Sequence, residues 1–523
     1  MATTYRFGPF RLDATAEVLF HGTEPTGVGR RATALLRLLL DRAGEPVAKD
    51  ALIDAAWPRL AIEESNLTVQ IAALRRVFAE ADGAAWIETM PRHGYRFVGP
   101  RVARENSPAE PARGNALSLA ASERASVAVL PFLNLNDDSR QDYYADGMVD
   151  DIITALSRFK SLFVIARNSS FAYKGKAVDI KRVGHELGVR YLVEGSVRRA
   201  GKRLRVTVQL LDATSGYHLW AEHYDRELED IFDVQDDIVR AIVSAVPGRL
   251  EDAGRDLAGR KPTANITAYD LVLLGNEQWR RAVGKDIAKA RECFQRAVAL
   301  DPNYARAHAN IAWTHVCEVF LEVATAGTLD QARHEIETAL DIDDGDAWSH
   351  GVFGQLLFLL QEDDRAEIHF NRALALNPND ADVAAVFANI LVYWGRWREA
   401  LTWIEAAKLL NPFPPNLYHW YHALALYSGH EYGQAIKTLK ETRSLDRWAH
   451  GLLAACYAQI GSLGKARSEA DVFVSKRHRE LKEEGEPPPA NDLELARVRA
   501  DRYRNPRDRD HFLDGLRKAG LAG

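Results

Sequence analysis

The second half of this 523-residue chain repeats itself. Leu300-Asp301-Pro302-Asn303, Leu340-Asp341-Ile342-Asp343, Leu376-Asn377-Pro378-Asn379 and Leu410-Asn411-Pro412 recur every 34–40 residues. Before three of them stands a small-large-small pattern: Ala290, Phe294, Ala297; Ala366, Phe370, Ala373; Ala400, Ile404, Ala407. Small residues let two helices approach closely, and the large one fills the gap between them. Each proline ends a helix and sets the turn into the next unit. A chain with this period must stack helix pairs, because one pair cannot bury its own apolar face.

The pattern resembles the tetratricopeptide repeat, and it predicts an all-α solenoid over residues 263–523. Residues 301–345 exceed one period, so that unit is expected to be irregular. Residues 418–439 and 448–470 read as degenerate units. A proline-rich break near 482–489 precedes a capping helix expected over 492–502. Stacked helix pairs form a concave groove that suits a protein or peptide partner. The aromatic-rich stretch near 390–430 makes Trp394, Trp397, Tyr418 and Tyr421 candidates for that groove. Ordinary inter-repeat packing is the competing reading for each of them.

At the other end, residues 65–78 read as an amphipathic helix with Leu67, Ile71, Leu74 and Phe78 on one stripe. The opposite face carries Ser65, Val69, Ala72, Ala73 and Arg76, with Thr68 and Arg75 at one edge. It is small, nearly flat and cationic at its C-terminal end, which suits a DNA major groove. A plain surface helix is the alternative. The residues that follow favour DNA. Trp86-Ile87-Glu88-Thr89-Met90 and Tyr95-Arg96-Phe97-Val98 read as strands joined by a tight turn at Pro91-Arg92-His93-Gly94. Helix and hairpin together resemble the winged-helix domain of the OmpR/PhoB type, over residues 1–100. The resemblance implies that Ser65, Asn66, Thr68, Val69, Ala72 and Ala73 face bases. It also implies that Arg75, Arg76, Thr89, Arg92, His93 and Tyr95 serve the backbone contacts and the wing. Ala72 and Ala73 stand where several relatives carry a base-reading Arg, so direct readout leans on Val69, the alanines and thymine methyls.

Between these regions, residues 101–124 read as a flexible linker. Residues 125–262 alternate strands and helices and predict a compact α/β domain. Ser126-Val127-Ala128-Val129-Leu130-Pro131-Phe132, Tyr143-Tyr144-Ala145-Asp146-Gly147-Met148, Tyr191-Leu192-Val193-Glu194-Gly195-Ser196-Val197 and the Leu210–Arg226 stretch resemble the TolB-N-terminal-like domain. That domain precedes tetratricopeptide repeats in bacterial regulators and in some nucleotide cyclases. The resemblance implies a sensory or docking module. Asp142, Asp146, Asp150, Asp151, His185, Glu186, His218 and His223 are tempting for chemistry. Yet no G-x-S-x-G occurs, His185-Glu186 lacks a second His, and the Asp run opens a helix, where acids favour the dipole.

The expected fold class is therefore multidomain: a winged helix-turn-helix (α+β), a small α/β domain, then an all-α repeat solenoid. The overall layout is similar to one-component regulators of the HilA and CadC kind, without a membrane span. The net charge of −6 does not announce nucleic-acid binding, and residues 1–100 hold twelve Lys/Arg against twelve Asp/Glu. Placement matters more than totals: Arg75, Arg76, Arg92, Arg96, Arg101 and Arg104 fall near the helix end and wing. Cys293, Cys317 and Cys456 lie far apart in apolar patterns, so neither zinc nor disulfides are expected. With no apolar leader and no long apolar run, a cytoplasmic bacterial protein is expected. The winged helix starts near residue 5, so a phospho-receiver in cis is not. The expected function is sequence-specific transcription regulation without enzyme activity, catalytic residues, metal or cofactor. Promoter DNA, a protein partner, RNA polymerase and a second copy of the chain are the expected partners. A scaffold with weak non-specific DNA binding and a ligand-sensing middle domain are the alternatives.

Overall fold

A computed structural model describes residues 2–521. It leaves out 15–17, 23, 27, 57–63, 80, 82, 84, 91–93, 108–123, 137–138, 178, 247–262, 264, 282–286, 443, 485–486, 488 and 490.

The N-terminal unit opens with strands β1 (Ala2–Phe7), β2 (Phe10–Asp13), β3 (Val18–His21) and β4 (Glu24–Pro25). Helices α1 (Arg30–Asp41), α2 (Lys49–Ala56) and α3 (Glu64–Ala79) follow, then the hairpin β5 (Ile87–Met90) and β6 (Gly94–Phe97). The stripe read from the sequence is the buried face of α3: Leu67, Ile71, Leu74 and Phe78 are at most 1% exposed. They meet an aromatic cluster in which the Phe7 ring lies 5.5–6.3 Å from Phe10, Phe78, Trp86 and Phe97. Part of the expected linker is not a linker. Residues Ala103–Ser107 form β7, which pairs antiparallel with β1 and completes a sheet of order β4-β3-β2-β1-β7. The sequence Ala-Arg-Glu-Asn-Ser carries little strand propensity, so the pairing with β1 decides its state. Residues 108–123 of that stretch lie outside the described residues.

The middle unit is a six-stranded sheet of β8 (Ala125–Val129), β9 (Leu133–Asn134), β10 (Leu162–Val164), β11 (Tyr191–Ala200), β12 (Arg203–Asp212) and β13 (His218–Glu227). β8 runs parallel to β10 and β11, whereas β11, β12 and β13 form an antiparallel meander. Helices α4 (Asp142–Ser157) and α7 (Ile231–Ala245) cover one face, burying Met148, Ile152, Leu156, Ile238 and Ile242 against Val127, Val129, Val193, Val206 and Val208. Helices α5 (Arg167–Phe171) and α6 (Ile180–Leu187) lie toward the other face, where Ala128, Leu130, Phe163 and Leu192 sit in a core shared with the repeats. Parallel strands buried on both faces explain the unbroken apolar run at Ser126–Phe132.

From Ile266 the described residues are helical, in six successive pairs: α8 (Ile266–Arg281) with α9 (Ile287–Leu300), α10 (Ala305–Phe320) with α11 (Thr328–Ile342), α12 (Ala347–Leu359) with α13 (Asp363–Leu376), α14 (Ala381–Tyr393) with α15 (Trp397–Leu410), α16 (Asn416–Ser428) with α17 (Tyr432–Lys440), and α18 (Arg447–Gln459) with α19 (Leu463–Glu484). The small-large-small residues are all buried to 2% exposure or less. A side chain at Gly354 would meet the Phe370 ring at 2.9 Å, so the glycine is what lets α12 lie on α13. Five intra-pair turns end the first helix on a left-handed residue: Glu322, Gln361, Gly395, His430 and Gly461. The bonds recur as well. Arg396 N–H donates to Leu391 O and Gly395 N–H to Val392 O, the six-to-one and neighbouring bonds that satisfy terminal carbonyls. The long unit places its extra residues in the 321–327 turn, where Glu322 pairs with Arg447 at 2.6 Å and Arg477 at 3.3 Å.

The capping helix is shorter than expected, α20 (Glu494–Ala500), and a further helix α21 (Pro506–Lys518) follows it. Asn505 caps α21 with its side chain accepting from Arg507 N–H, and Pro506 occupies its first turn. That Asn-Pro start is a sequence signal for a helix, although it lies beyond the repeat pattern.

Candidate nucleic-acid interface

Helix α3 is held by its apolar stripe, so its other side is presented outward. Asn66, Thr68, Val69, Ala72 and Arg76 are exposed, and Ala73 is half-buried. Val69 stands out at 62% exposure, because a valine there forgoes burial that its chemistry favours. The side chain of Ser65 lies outside the described residues, as do Arg92 and His93 at the tip of the hairpin. Arg76 is exposed and makes no ion pair among the described residues.

Two expected backbone contacts are differently employed. Arg75 donates through Nε and Nη2 to the carbonyl of Ile87, at 3.0 and 2.7 Å, and through Nη2 to Thr89 Oγ1 at 2.9 Å. It ties the recognition helix to the wing. Tyr95 is 6% exposed, and its backbone exchanges two hydrogen bonds with Val47. It belongs to the core that seats the wing, because both Tyr95 and Phe97 turn inward. Alternation in a four-residue strand does not say which side is in. Thr89 is exposed as expected. Of the outlying cations, Arg96 pairs across the hairpin with Glu88 at 2.7 Å. Arg104 sits on β7, near Asp41 and over the Tyr5 ring, so it is not part of the wing cluster.

The expected aromatic groove is closed. Trp394, Tyr418 and Tyr421 are buried at 9% exposure or less. Trp394 packs on Phe387, and Tyr418 donates to Asp382 Oδ1 at 2.6 Å. Packing between the repeats takes these side chains, and the C-terminal segment covers the aromatic residues beside them. Arg499 lies over the Trp420 and Trp448 rings, Tyr503 packs on Tyr393, and Arg504 N–H donates to the Tyr393 carbonyl. Only Trp397 of the four is half-buried, with Arg398 over its ring at 4.2 Å.

The acidic run of α4 joins the middle unit to the repeats. Asp150 pairs with Arg280, Asp151 accepts from the Tyr269 hydroxyl and from Gln235, and Asp146 pairs with Lys174. Among the described residues no group of three or more His, Cys, Asp and Glu is placed to hold a metal. Burial lifts the Asp151 carboxyl to about 6, against the lowering effect of the Tyr269 hydroxyl. A carboxyl whose folded value is raised holds its proton more tightly folded than unfolded. It therefore costs stability above pH 6, and the cost fades as pH falls through 6 toward the unfolded value. Asp151→Asn keeps an acceptor without the charge. It should raise stability at pH 7.5 by on the order of 1–2 kcal/mol, discounted for the solvent that reaches the carboxyl, and leave it unchanged near pH 4. Unfolding scans at both pH values check this, and an equal effect at each would refute it.

Two stretches match family models. Residues 23–97 match "Transcriptional regulatory protein, C terminal", and residues 122–241 match "HilA/YgeH-like transcriptional regulator, second domain". The Putative adenylate cyclase 3 of Rhizobium meliloti (strain 1021) is 40% identical over 270 residues, which cover 51% of this chain and 44% of that relative. The Transcriptional regulator HilA of Salmonella typhimurium is 23% identical over 411 residues, 75% of this chain and 68% of its own length. A solved structure of Pseudomonas aeruginosa pilF aligns over 39% of this chain and 89% of its own with 19% identity and a TM-score of 0.31. The chain thus spans less than half the length of the cyclase relative. Winged helix, outward-facing α3 and family matches define the domain set of a DNA-binding transcriptional regulator. Its layout is HilA-like: an OmpR/PhoB-type domain, the HilA-type second domain, and tetratricopeptide-like helix pairs. Among the described residues no helix is long and apolar enough to cross a membrane.

Proposed function

We propose that the chain regulates transcription as a one-component, sequence-preferring DNA-binding protein that works without enzymatic activity. The observation that carries this reading is the solvent-facing side of α3, with Val69 at 62% exposure among small residues and Arg76 exposed at its end. A valine set outward among alanines fits contact with thymine methyls in a major groove. Asn66, Thr68, Ala72 and Ala73 complete the reading face. Arg76 supplies a phosphate contact, and Arg75 positions the wing. The repeats bind protein on surfaces other than the aromatic belt that α20 and Tyr503 cover. RNA polymerase and a second copy of the chain are the partners proposed, and the cytoplasm is the proposed location. The acids of α4 serve structure in this reading, so no cyclic nucleotide should form from ATP.

The deciding experiment is binding of the full chain to its own upstream DNA and to a scrambled sequence, each at two salt concentrations. A site-specific complex that survives higher salt supports regulation. Equal, salt-labile binding to both DNAs favours a scaffold. Arg76→Ala should weaken binding to every sequence and lower the salt slope by about one unit, as for one lost phosphate contact. An unchanged slope would place Arg76 away from DNA. Val69→Ala should cost less overall and blunt the preference for T-containing sites; uniform loss would sink that role.

A further inference from the structure

Helix α1 begins without the usual provisions of a helix start. Its N-cap, Gly29, offers no side chain, and its first turn holds no acid but Arg30 and Arg31. The acids come from the repeats. A side chain on Gly29 would fall 2.2 Å from Asp344 Oδ2, so the glycine makes room for that carboxylate. Arg31 Nη2 pairs with Asp341 Oδ1 at 2.6 Å. Asp341 stands in the last turn of α11 and Asp344 in the turn from α11 to α12, the repeat boundary where Ile342 replaces the proline. The turn is itself braced from below, where His350 Nε2 lies 2.9 Å from the Asp344 carbonyl and His350 Nδ1 2.9 Å from His369 Nδ1.

Beside this polar contact runs an apolar one. Val18 and Phe20 of β3 are buried together with Ala375 of α13. Lys160 of the middle unit lies 3.9 Å over the Phe20 ring, and Arg372 Nη2 donates to the Val28 carbonyl at 3.3 Å. Negative charge placed at a helix N-terminus is favourable, and here it also meets the Arg31 guanidinium. The contact uses β3 and the start of α1, whereas the outward residues of α3 remain exposed.

We propose that the acidic α11–α12 turn is a docking site for the winged-helix domain of the same chain. It fixes that domain in one orientation on the repeats and leaves its DNA-reading side open. The two acids of this boundary, Asp341 and Asp344, are then the receptor, and Gly29 with Arg31 their ligand.

Paired spin labels at Asp54→Cys and Glu337→Cys in the full chain, with Cys293, Cys317 and Cys456 each replaced by Ala, test this, since both label positions are exposed. The parent should give one narrow distance. Asp341→Arg should broaden it, and adding Arg31→Glu should restore the narrow peak by reversing the pair. Gly29→Val, on the opposite partner, should broaden it independently. A broad distribution in the parent, or a narrow one in both Asp341→Arg and Gly29→Val, would overturn the proposal.

Discussion

A Gly94→Ala chain should lose DNA binding on every sequence while its repeats stay folded. Gly94 opens β6 at φ +99°, a conformation that L side chains resist. Space forbids the change as well, because a Cβ there would lie 2.0 Å from the Val47 carbonyl oxygen. Val47 cannot retreat without breaking the two bonds it exchanges with Tyr95, which seat the wing on the body of the domain. Strain and clash together should cost on the order of 3 kcal/mol, a large part of what a small domain has. The wing would lift, and the Arg75 bonds that steady α3 from Ile87 and Thr89 would go with it. DNA titration together with a thermal scan of the full chain checks this. A variant that binds DNA like its parent would show that the wing's seat is dispensable.

Phe370→Ala should have the second large effect, at the other end of the molecule. The ring is fully buried, stacks on Phe387 with centroids 5.0 Å apart, and fills the space that Gly354 leaves. Truncation removes the ring and leaves a cavity, at about 3–5 kcal/mol. Phe370 belongs to the same core as Leu130, Phe163 and Leu192 of the middle sheet. Hydrogen exchange should therefore accelerate in β8, β10 and β11 as well as in the flanking repeats, with the core of the winged helix protected as before. Faster exchange confined to α12–α15 would mean that the two cores do not act together.

Those two residues mark how far the sequence carried. The repeat alanines and phenylalanines were legible because their spacing is the fold: period and residue size dictate which helix faces approach. The α3 stripe was legible for the same reason. Gly94 was legible as a turn residue, but its approach to Val47 was not, since nothing in the local sequence says that residue 47 bridges to residue 95. Arg75 and Tyr95 were placed at DNA because the resemblance to the winged-helix domain implies it for the helix end and the wing. Only the fold shows the carbonyl and the core that occupy them. The aromatic belt failed differently. Its composition was read correctly, and the competing reading, packing between repeats, is what occupies Trp394 and Tyr418; the cover that Arg499 lays over Trp420 and Trp448 comes from a later segment and leaves no local mark.

The sheet of the middle unit has a further consequence. One face packs under its own helices together with Tyr269 and Leu273 of α8, and the other lies in the core that runs into the repeats. Ser169 Oγ donates to Asn411 Oδ1 at 2.6 Å across that junction, and Asn379 Nδ2 donates to the Ser157 carbonyl at 2.9 Å. A fragment cut near residue 260 would leave Phe163, Ile165 and Leu192 facing water and several buried amides unanswered. Such a piece should be recovered from cells as aggregate, and the repeats alone should fare little better. By this packing the middle unit and the repeats form one body. Shuffling could attach a different head to residue 125, but a join inside 125–484 would have to carry both sides of the sheet with it.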